Sequence, residues 1–217
     1  EFCIWLFGLT VAGPLLMQQA TIRSLAKAEF MMALAFTIAK STNLDVHLHV
    51  QGMLSEMIVA TELVRACLDA AESQAKETRF GTFAPATLPL WVVRLEFPKL
   101  FVRMQEIIQL LGAGGLVAVP SYAETASAAE AHVLTYFQAA NVDAPSRIKL
   151  FRLAFDAAVS SFAGRQQLYE RYYAGDPVRL AGALYNLYGK DEHMERIWEM
   201  LGKIQGTEER LIKTGGD

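Results

Sequence analysis

The sequence contains few cysteines and few of the residues that interrupt helices. Its 217 residues include 7 prolines and 15 glycines, which fall in a few clusters. The long stretches between these clusters favour helices over short strands separated by turns. Two cysteines, Cys3 and Cys67, are too few for a disulfide framework or a cysteine-rich metal site. We therefore expect a helical protein of the reducing cytoplasm.

The sequence also lacks an excess of charge and a membrane-spanning apolar run. Its formal net charge is -3 with both signs interspersed, so no basic stripe is available for nucleic acid or a membrane surface. The apolar run from Phe2 to Met17 is broken by Gly13 and Pro14. It is shorter than the roughly 20 residues that cross a bilayer, and it lacks the layout of a signal peptide. We expect a buried segment here, and the start at Glu1 instead of methionine suggests a piece of a longer protein.

Residue patterns for metal or nucleophilic chemistry are missing as well. His47 and His49 are two residues apart, which points their rings to different faces of a helix, whereas helical ligand pairs are three or four residues apart. His132 and His193 have no cysteine or carboxylate partner at ligand spacing. The serines show no G-x-S-x-G pattern, and no phosphate-binding G-x-x-x-x-G-K occurs. The sequence predicts no metal site and assigns no catalytic residue.

Long helical segments account for most of what is present. Hydrophobic residues make up 53% of the chain, enough for a sizeable core, and they recur at helical spacing over extended runs. The spacing predicts helices over residues 15–40, 44–78, 90–111 with an interruption at Pro98, 123–140, 146–172, 178–188 and 191–204, with loops at 81–89 and 141–145. We expect a single all-α domain over 1–217, an up-and-down helical bundle with a core over 15–172 and extra terminal helices over 178–205.

Two segments contain more than core packing requires. Gly112, Gly114 and Gly115 follow the third helix, either as a helix stop that uses a left-handed residue or as a place where a cofactor or a neighbouring subunit approaches the backbone. The stretch from Ser160 to Arg179 is dense in glycine, aromatic residues and arginine. Core packing with ion pairing and a functional role both remain open for it.

The second segment carries a family resemblance. FAGRQQLYERYYAGDPVR resembles the C-terminal signature of the 4-hydroxyphenylacetate 3-monooxygenase large-component family, which includes phenol hydroxylases and 4-hydroxybutyryl-CoA dehydratase. The similarity extends, in family order, through ATIRSLAKAEFMMALAFTIAK, HVQGMLSEMI, LGAGGLVAVPS and RIKLFRLAFDAAVSSF. The resemblance implies an acyl-CoA dehydrogenase-like fold, in which a C-terminal helical bundle builds a tetramer core and helps to bind FAD. The family's N-terminal helical and middle β domains are absent from this chain.

The resemblance also suggests which residues contact FAD. Gln51 matches a glutamine that reaches the FAD of an adjacent subunit, and Gly114 and Gly115 match a double glycine over which the dinucleotide passes. The full set of implied cofactor-binding residues is Gln51, Gly114, Gly115, Arg165, Tyr173, Ala174, Gly175 and Asp176. The wider superfamily has its catalytic glutamate where this chain has Ala174, so an acyl-CoA dehydrogenase mechanism is disfavoured. A dehydratase is disfavoured because no cysteine and histidine group has iron–sulfur spacing.

The resemblance therefore implies part of a two-component aromatic hydroxylase. In that family a separate flavin reductase supplies reduced FAD, which reacts with oxygen to hydroxylate a phenolic substrate inside a site that excludes water. We expect a homo-oligomer, either a tetramer or a dimer, and we expect the catalytic residues in the absent domains. The alternatives are a dehydratase-like or acyl-CoA dehydrogenase-like flavoenzyme, or a non-catalytic helical oligomerisation module.

Overall fold

The chain divides into two compact units, Glu1–Pro177 and Val178–Asp217. The computed structural model describes residues 2, 3, 6 and 10–214, with side chains described as far as residue 203. The first unit includes the whole predicted core bundle, and the second includes all of the predicted terminal helices. That the two belong to one domain stays a prediction.

The first unit is built from helices that follow one another in an up-and-down order. They are α1 (Ala12–Ser41), α2 (Leu48–Ser73), α3 (Thr87–Gly112), α4 (Gly114–Val117), α5 (Tyr122–Thr125), α6 (Glu130–Tyr136), α7 (Ala144–Ala158) and α8 (Ser161–Tyr172). α2 and α3 are antiparallel, because Glu56 pairs with Arg103 while Ala86 donates a backbone hydrogen bond to Ala71. α7 and α8 together return along α3. The predicted all-α bundle is confirmed.

Small side chains on α1 let the long helices approach one another. Ala28, Ala35 and Ala39 are fully buried, and they share one core with large apolar side chains such as Met57 of α2 and Phe97 of α3. Alanine favours the helix and also adds little bulk to its buried face. The core is therefore centred on α1, α2 and α3, and α7 and α8 close it on the remaining side.

α3 continues through Pro98, so the predicted interruption at this residue is wrong. A proline inside a helix removes one backbone hydrogen bond and costs about 3 kcal/mol or more. Phe97 and Phe101 flank it and are buried in the core, so tertiary packing holds the helix together across the proline. The carbonyl of Arg94, four residues earlier, is the one that loses its helical donor.

A small hairpin replaces the end of the second predicted helix. α2 ends at Ser73 instead of Thr78, and two short strands follow, β1 (Lys76–Glu77) and β2 (Phe83–Ala84). They pair antiparallel with Lys76 opposite Ala84. Gly81 makes the connecting turn with a φ of 73°, a conformation that favours glycine. The predicted loop therefore contains one strand of this hairpin.

Two predicted helices are each divided by side chains that cap the backbone. The helix predicted over 146–172 breaks between Ala158 and Ser161, where the Ser160 hydroxyl accepts a hydrogen bond from the Ala163 amide and starts α8. The helix predicted over 123–140 is replaced by α5 and α6, and Ser121 and Glu124 form a capping box at the start of α5. Serine at these positions offers the backbone an alternative to continuing the helix.

Two helices begin at or near the turn residues from which their starts were predicted. Asp143 caps α7 by accepting a hydrogen bond from the Ser146 amide, and Pro145 lies in the first turn as predicted. The pKa of Asp143 is lowered by these hydrogen bonds. Further along the chain, α9 (Pro177–Leu187) begins at the predicted proline and α10 (Asp191–Thr214) extends past the predicted end. No described helix combines the length and the apolar character that a membrane span requires.

Candidate flavin site

A tight turn follows α8 and includes four of the eight residues proposed to contact FAD. The turn comprises Tyr173, Ala174, Gly175 and Asp176. Gly175 has a φ of 119°, which side chains disfavour, and its amide donates to the carbonyl of Tyr172 at 3.0 Å. Arg94 of α3 donates from Nη2 to the carbonyl oxygen of Ala174 at 2.6 Å. Glycine and arginine together therefore fix the path of this turn against α3.

A buried carboxylate connects α8 to α1 just before the turn. Glu170 is only 5% exposed, and it accepts hydrogen bonds from Arg23 at 3.1 Å and from Lys27. The Arg23 guanidinium also lies over two aromatic rings, 4.7 Å from the centroid of Tyr169 and 4.6 Å from that of Tyr173. Charge pairing and ring contacts thus hold the start of the turn against α1.

A cavity of about 270 Å³ lies between α1, α3 and the turn. Its polar lining includes Arg23, Arg94, Glu170 and Tyr173, and apolar residues of α1 and α3 form most of the remainder. Three buried guanidinium nitrogens find no hydrogen-bond partner among the described residues, namely Nε and Nη1 of Arg23 and Nε of Arg94. Burial lowers the pKa of Arg94, because it disfavours the charged form, while Tyr173 acts in the opposite direction. The wall of the cavity therefore includes two cationic side chains, Arg23 and Arg94.

Gln51, Gly114 and Gly115 lie at the other end of the bundle. Gln51 is exposed in the first turn of α2, and its side-chain amide donates to the carbonyl of Asp45 at 2.9 Å. Gly114 and Gly115 form α4, directly after the end of α3. Because α2 and α3 are antiparallel, the start of one and the end of the other are at the same end of the bundle. The structure therefore brings these three residues to one region.

The double glycine serves intramolecular packing at one of its two positions. A Cβ atom added to Gly115 would come within 2.8 Å of the Phe151 ring, so glycine allows α4 to lie on α7. A Cβ atom on Gly114 would meet nothing within 4 Å, so this exposed position leaves room for another molecule. The predicted helix stop is confirmed at Gly112, but the left-handed residue is Ala113, with a φ of 43°, and not a glycine.

The predicted site residues thus form two groups within one chain. Arg94 contacts the turn, and α3, to which Arg94 belongs, ends at Gly112. The rise per residue of a helix places Arg94 and Gly112 roughly 30 Å apart. Arg165 joins neither group, because it is exposed on α8 and does not line the cavity. No group of His, Cys, Asp or Glu among the described residues is arranged to hold a metal ion.

Comparison with known proteins identifies the family. The family model described as 4-hydroxyphenylacetate 3-hydroxylase C terminal matches residues 6–202. The chain belongs to this family. It is 40% identical over 179 residues to a probable 4-hydroxyphenylacetate 3-monooxygenase of Bacillus subtilis, covering 82% of this chain and 37% of that protein. It is 36% identical over 197 residues to the 4-hydroxyphenylacetate 3-monooxygenase oxygenase component of Thermus thermophilus, covering 91% of this chain and 41% of the relative.

Solved structures of the family share the fold. The crystal structure of an oxygenase component of 4-hydroxyphenylacetate 3-monooxygenase superposes with a TM-score of 0.89 at 35% identity, covering 93% of this chain and 43% of that one. A further crystal structure is described as complexed with FAD and 4-hydroxyphenylacetate. An archaeal 4-hydroxybutyryl-CoA dehydratase shares the fold with a TM-score of 0.76 at 16% identity. The chain spans about two fifths of the length of its curated family relatives.

Sequence reasoning missed the charged residues that line the cavity. Arg23 and Glu170 stand inside stretches that carry the family resemblance, and Arg94 stands between apolar neighbours in α3. A charged residue within a mostly apolar helix was the available signal, because such a residue is rarely buried without a partner. The sequence did not show that Arg23 and Arg94, 71 residues apart in the chain, line one cavity.

Proposed function

We propose that the chain is the C-terminal part of the oxygenase component of a two-component phenol monooxygenase. In this role it binds FAD and forms the oligomer. Its relatives of known structure support this proposal, since one is described as complexed with FAD and 4-hydroxyphenylacetate and superposes with a TM-score of 0.89. The whole polypeptide that carries this chain would then include an N-terminal helical domain and a middle β domain. A separate reductase in the cytoplasm would supply reduced FAD.

The separation of the two residue groups is the observation that supports this proposal best. Gln51 and Gly114 lie roughly 30 Å along the bundle from the turn at Tyr173. One chain therefore does not gather these residues into one compact site. A flavin that contacts the turn of one copy and Gln51 of a neighbouring copy uses both groups, which requires an oligomer.

The residues at the turn fit a flavin. Gly175 has no side chain to block a ligand, Tyr173 is 46% exposed, and the side chains of Arg23 and Arg94 line the adjoining cavity. Flat aromatic surfaces and hydrogen-bond donors are what a flavin ring requires from its protein. Reduced FAD would supply the electrons that activate oxygen, while the cavity walls would exclude water from that reaction.

The position of the acyl-CoA dehydrogenase base has no carboxylate in this chain. Ala174 stands where the superfamily has its glutamate, and Glu170, one turn earlier, has both carboxylate oxygens bonded by Arg23 and Lys27. A general base must come within hydrogen-bond reach of the proton that it removes, and Glu170 is only 5% exposed and held against α1. The arrangement therefore favours the monooxygenase over the dehydrogenase.

The surface of α2 favours an oligomer. Leu48, Ile58, Val59 and Leu63 of this helix are exposed, with Leu48 83% accessible. Apolar side chains exposed along one helix are a common feature of surfaces that another copy covers. Because Gln51 belongs to the same helix, an interface there would place it beside a neighbouring copy.

The proposal predicts that two distant variants weaken FAD binding. In the whole polypeptide, Gln51→Ala and Asp176→Ala each remove a polar group proposed to contact the flavin. One net hydrogen bond contributes about 0.5 to 1.5 kcal/mol, so the dissociation constant should rise several-fold in each variant. Fluorescence titration with FAD measures it.

Exposed residues outside the site provide the controls. Gln138→Ala and Asp156→Ala make the same chemical changes on other parts of the surface and should leave FAD affinity unchanged. The wild-type polypeptide with reduced FAD, oxygen and 4-hydroxyphenylacetate should yield a catechol product. Absence of FAD binding in the wild type, or equal affinity in all four variants, contradicts the proposal.

A further inference from the structure

The hairpin formed by β1 and β2 exposes large apolar side chains. Phe80, in its turn, is 56% exposed, and Phe83, in β2, is 66% exposed. Leu88, in the first turn of α3 directly after the hairpin, is 46% exposed. Single exposed apolar residues are common on proteins, whereas several large ones in a short stretch of chain mark a surface that another body covers. We call residues 76–88 the hairpin surface.

The described part of the chain gives this hairpin little support. It forms a sheet of only two strands with two residues each. The turn is held locally, since Thr78 donates a backbone hydrogen bond to Thr82 and Gly81 donates one to Thr78. A hairpin of two strands is marginally stable in water unless a third strand or another element packs on it. Its outer strand edges, which no described strand pairs with, are available to a partner.

The hairpin surface lies at the end of the bundle where the chain enters α1. Gln18, in the second turn of α1, donates a side-chain hydrogen bond to Glu72 near the end of α2 at 2.8 Å. After the hairpin, the backbone amide of Ala86 donates to the carbonyl of Ala71 at the same end. α1 begins at Ala12, and the residues before it span at most roughly 40 Å when fully extended. A preceding domain is therefore tethered within that reach of α1.

The tether favours a preceding domain as the occupant of this surface. More than half of each curated relative lies outside the region that this chain matches, and the matching family model is described as C terminal. The remainder of such a protein therefore precedes the bundle. A tethered domain is present at a high effective concentration, whereas a separate partner has to be recruited from solution.

We propose that the hairpin surface docks on the middle β domain that precedes this chain in the whole polypeptide, with Phe80 and Phe83 packed against that domain. The inference rests on the proposed function only because it requires this β domain. A β domain suits the surface, since its strands can pair with the open edges of the hairpin. The hairpin then holds the β domain at the end of the bundle where Arg94, early in α3, contacts the turn at Tyr173.

A photo-cross-linking residue identifies the occupant directly. In the whole polypeptide, p-benzoylphenylalanine replaces Phe80 in one variant and Phe83 in another. Denaturing gels of the illuminated samples separate single from linked chains, and mass spectrometry identifies the linked peptides. We expect a product of single-chain mass in which the hairpin is linked to a peptide upstream of Glu1.

Tyr136 provides the matched control position for the cross-link. It is 75% exposed on α6, and Asn141, five residues later, donates a hydrogen bond to Lys40 at the other end of α1. The same photoreactive residue in place of Tyr136 should not link to the upstream peptide that the hairpin positions reach.

Hydrogen exchange shows whether the contact protects the docked domain. In the Phe80→Ser and Phe83→Ser double variant, the upstream segment should exchange about tenfold faster, because it loses its cover although its own sequence is unchanged. Tyr136→Ser should leave the exchange of that segment unchanged. Circular dichroism establishes that each variant is folded, and the cross-links in the two single variants stand independently of the double variant.

The outcomes separate this inference from the proposed function. A product of doubled mass means that a neighbouring copy covers the hairpin, and no product together with unchanged exchange means that nothing covers it. Either result overturns the inference. FAD titration of the wild-type polypeptide tests the proposed function. Upstream links without FAD binding would support the docking contact and contradict the function, and FAD binding without upstream links would do the reverse.

Discussion

Glu170 shows how one buried side chain can hold a functional segment in place. Glu170 is three residues before the turn that we propose contacts FAD, and its two oxygens accept hydrogen bonds from Arg23 and Lys27 of α1. Loss of this carboxylate leaves two cations facing each other across a buried position. The residue therefore stabilises the bundle and also helps to place Tyr173, whose ring contacts that of Tyr169 in a tilted arrangement at a centroid distance of 4.9 Å.

The Glu170→Gln variant tests this role. Breaking a buried ion pair costs about 3 to 5 kcal/mol, and because Arg23 and Lys27 are about one quarter exposed we expect a smaller loss, about 2 kcal/mol in the free energy of unfolding. Glu56→Gln is the control, since its pair with Arg103 is exposed and such pairs contribute about 0 to 1 kcal/mol. Urea denaturation compares the two. Equal midpoints would contradict a structural role for the buried pair.

At the scale of single residues, the sequence did not indicate which side chains line the cavity together. Tyr173 and Ala174 line the cavity, but Arg165, chosen from the same motif, is exposed and lines nothing there. Arg23 and Arg94 were not predicted as site residues. Helical spacing indicates which face of one helix is buried, but it does not indicate which residue of a distant helix faces it.

The break between α7 and α8 depends on a glutamine of another helix. Gln105 is 3% exposed on α3, and its side-chain amide donates to the carbonyls of Ala157 and Ala163 at 3.2 and 3.1 Å. Gln109, one turn later, donates to the carbonyl of Ala158 at 2.6 Å. These bonds satisfy carbonyls near the break between the two helices. They explain why an interrupted helix is tolerated inside the bundle.

The Gln105→Leu variant should destabilise this junction. It keeps the side-chain volume but removes the donor to the carbonyl of Ala157 at the end of α7, for a loss of about 2 kcal/mol in the free energy of unfolding. Gln19→Leu, at an exposed position of α1, should change that free energy by less than about 0.5 kcal/mol. Hydrogen exchange should also show faster exchange at the start of α8. Unchanged stability and exchange in Gln105→Leu would remove the glutamine from this role.

At the scale of elements, the sequence predicted the long helices of the bundle. It missed the breaks that divide the helices predicted over 123–140 and 146–172. The periodic apolar runs located α1, α2 and α3 to within a few residues at most of their ends. The proline at position 98 was expected to break α3, but burial of Phe97 and Phe101 outweighs its local cost. The Ser160 cap divides a run that periodicity predicted as one continuous helix. Periodicity does not indicate this break, because it also depends on side-chain donors from α3, Gln105 and Gln109.

The whole molecule presents its proposed flavin contacts at two ends. Gln51 and Gly114 lie at one end of the antiparallel pair of α2 and α3, and the Tyr173 turn lies beside Arg94 toward the other. The resemblance implies that all of these residues contact FAD and that Gln51 reaches the FAD of an adjacent subunit. Both ends of the bundle can contact flavin if each flavin lies between two copies of the chain. FAD binding would then depend on oligomerisation.

Co-expression of two complementary variants tests this central claim most directly. The whole polypeptide is produced as a one-to-one mixture of Gln51→Ala and Asp176→Ala chains, and the isolated mixed oligomers are titrated with FAD. If each site takes Gln51 from one copy and Asp176 from another, random assembly restores both groups at about one quarter of the sites, which should bind with wild-type affinity. If both groups act within one copy, no site is restored, and a titration that shows only weakened sites would contradict the account.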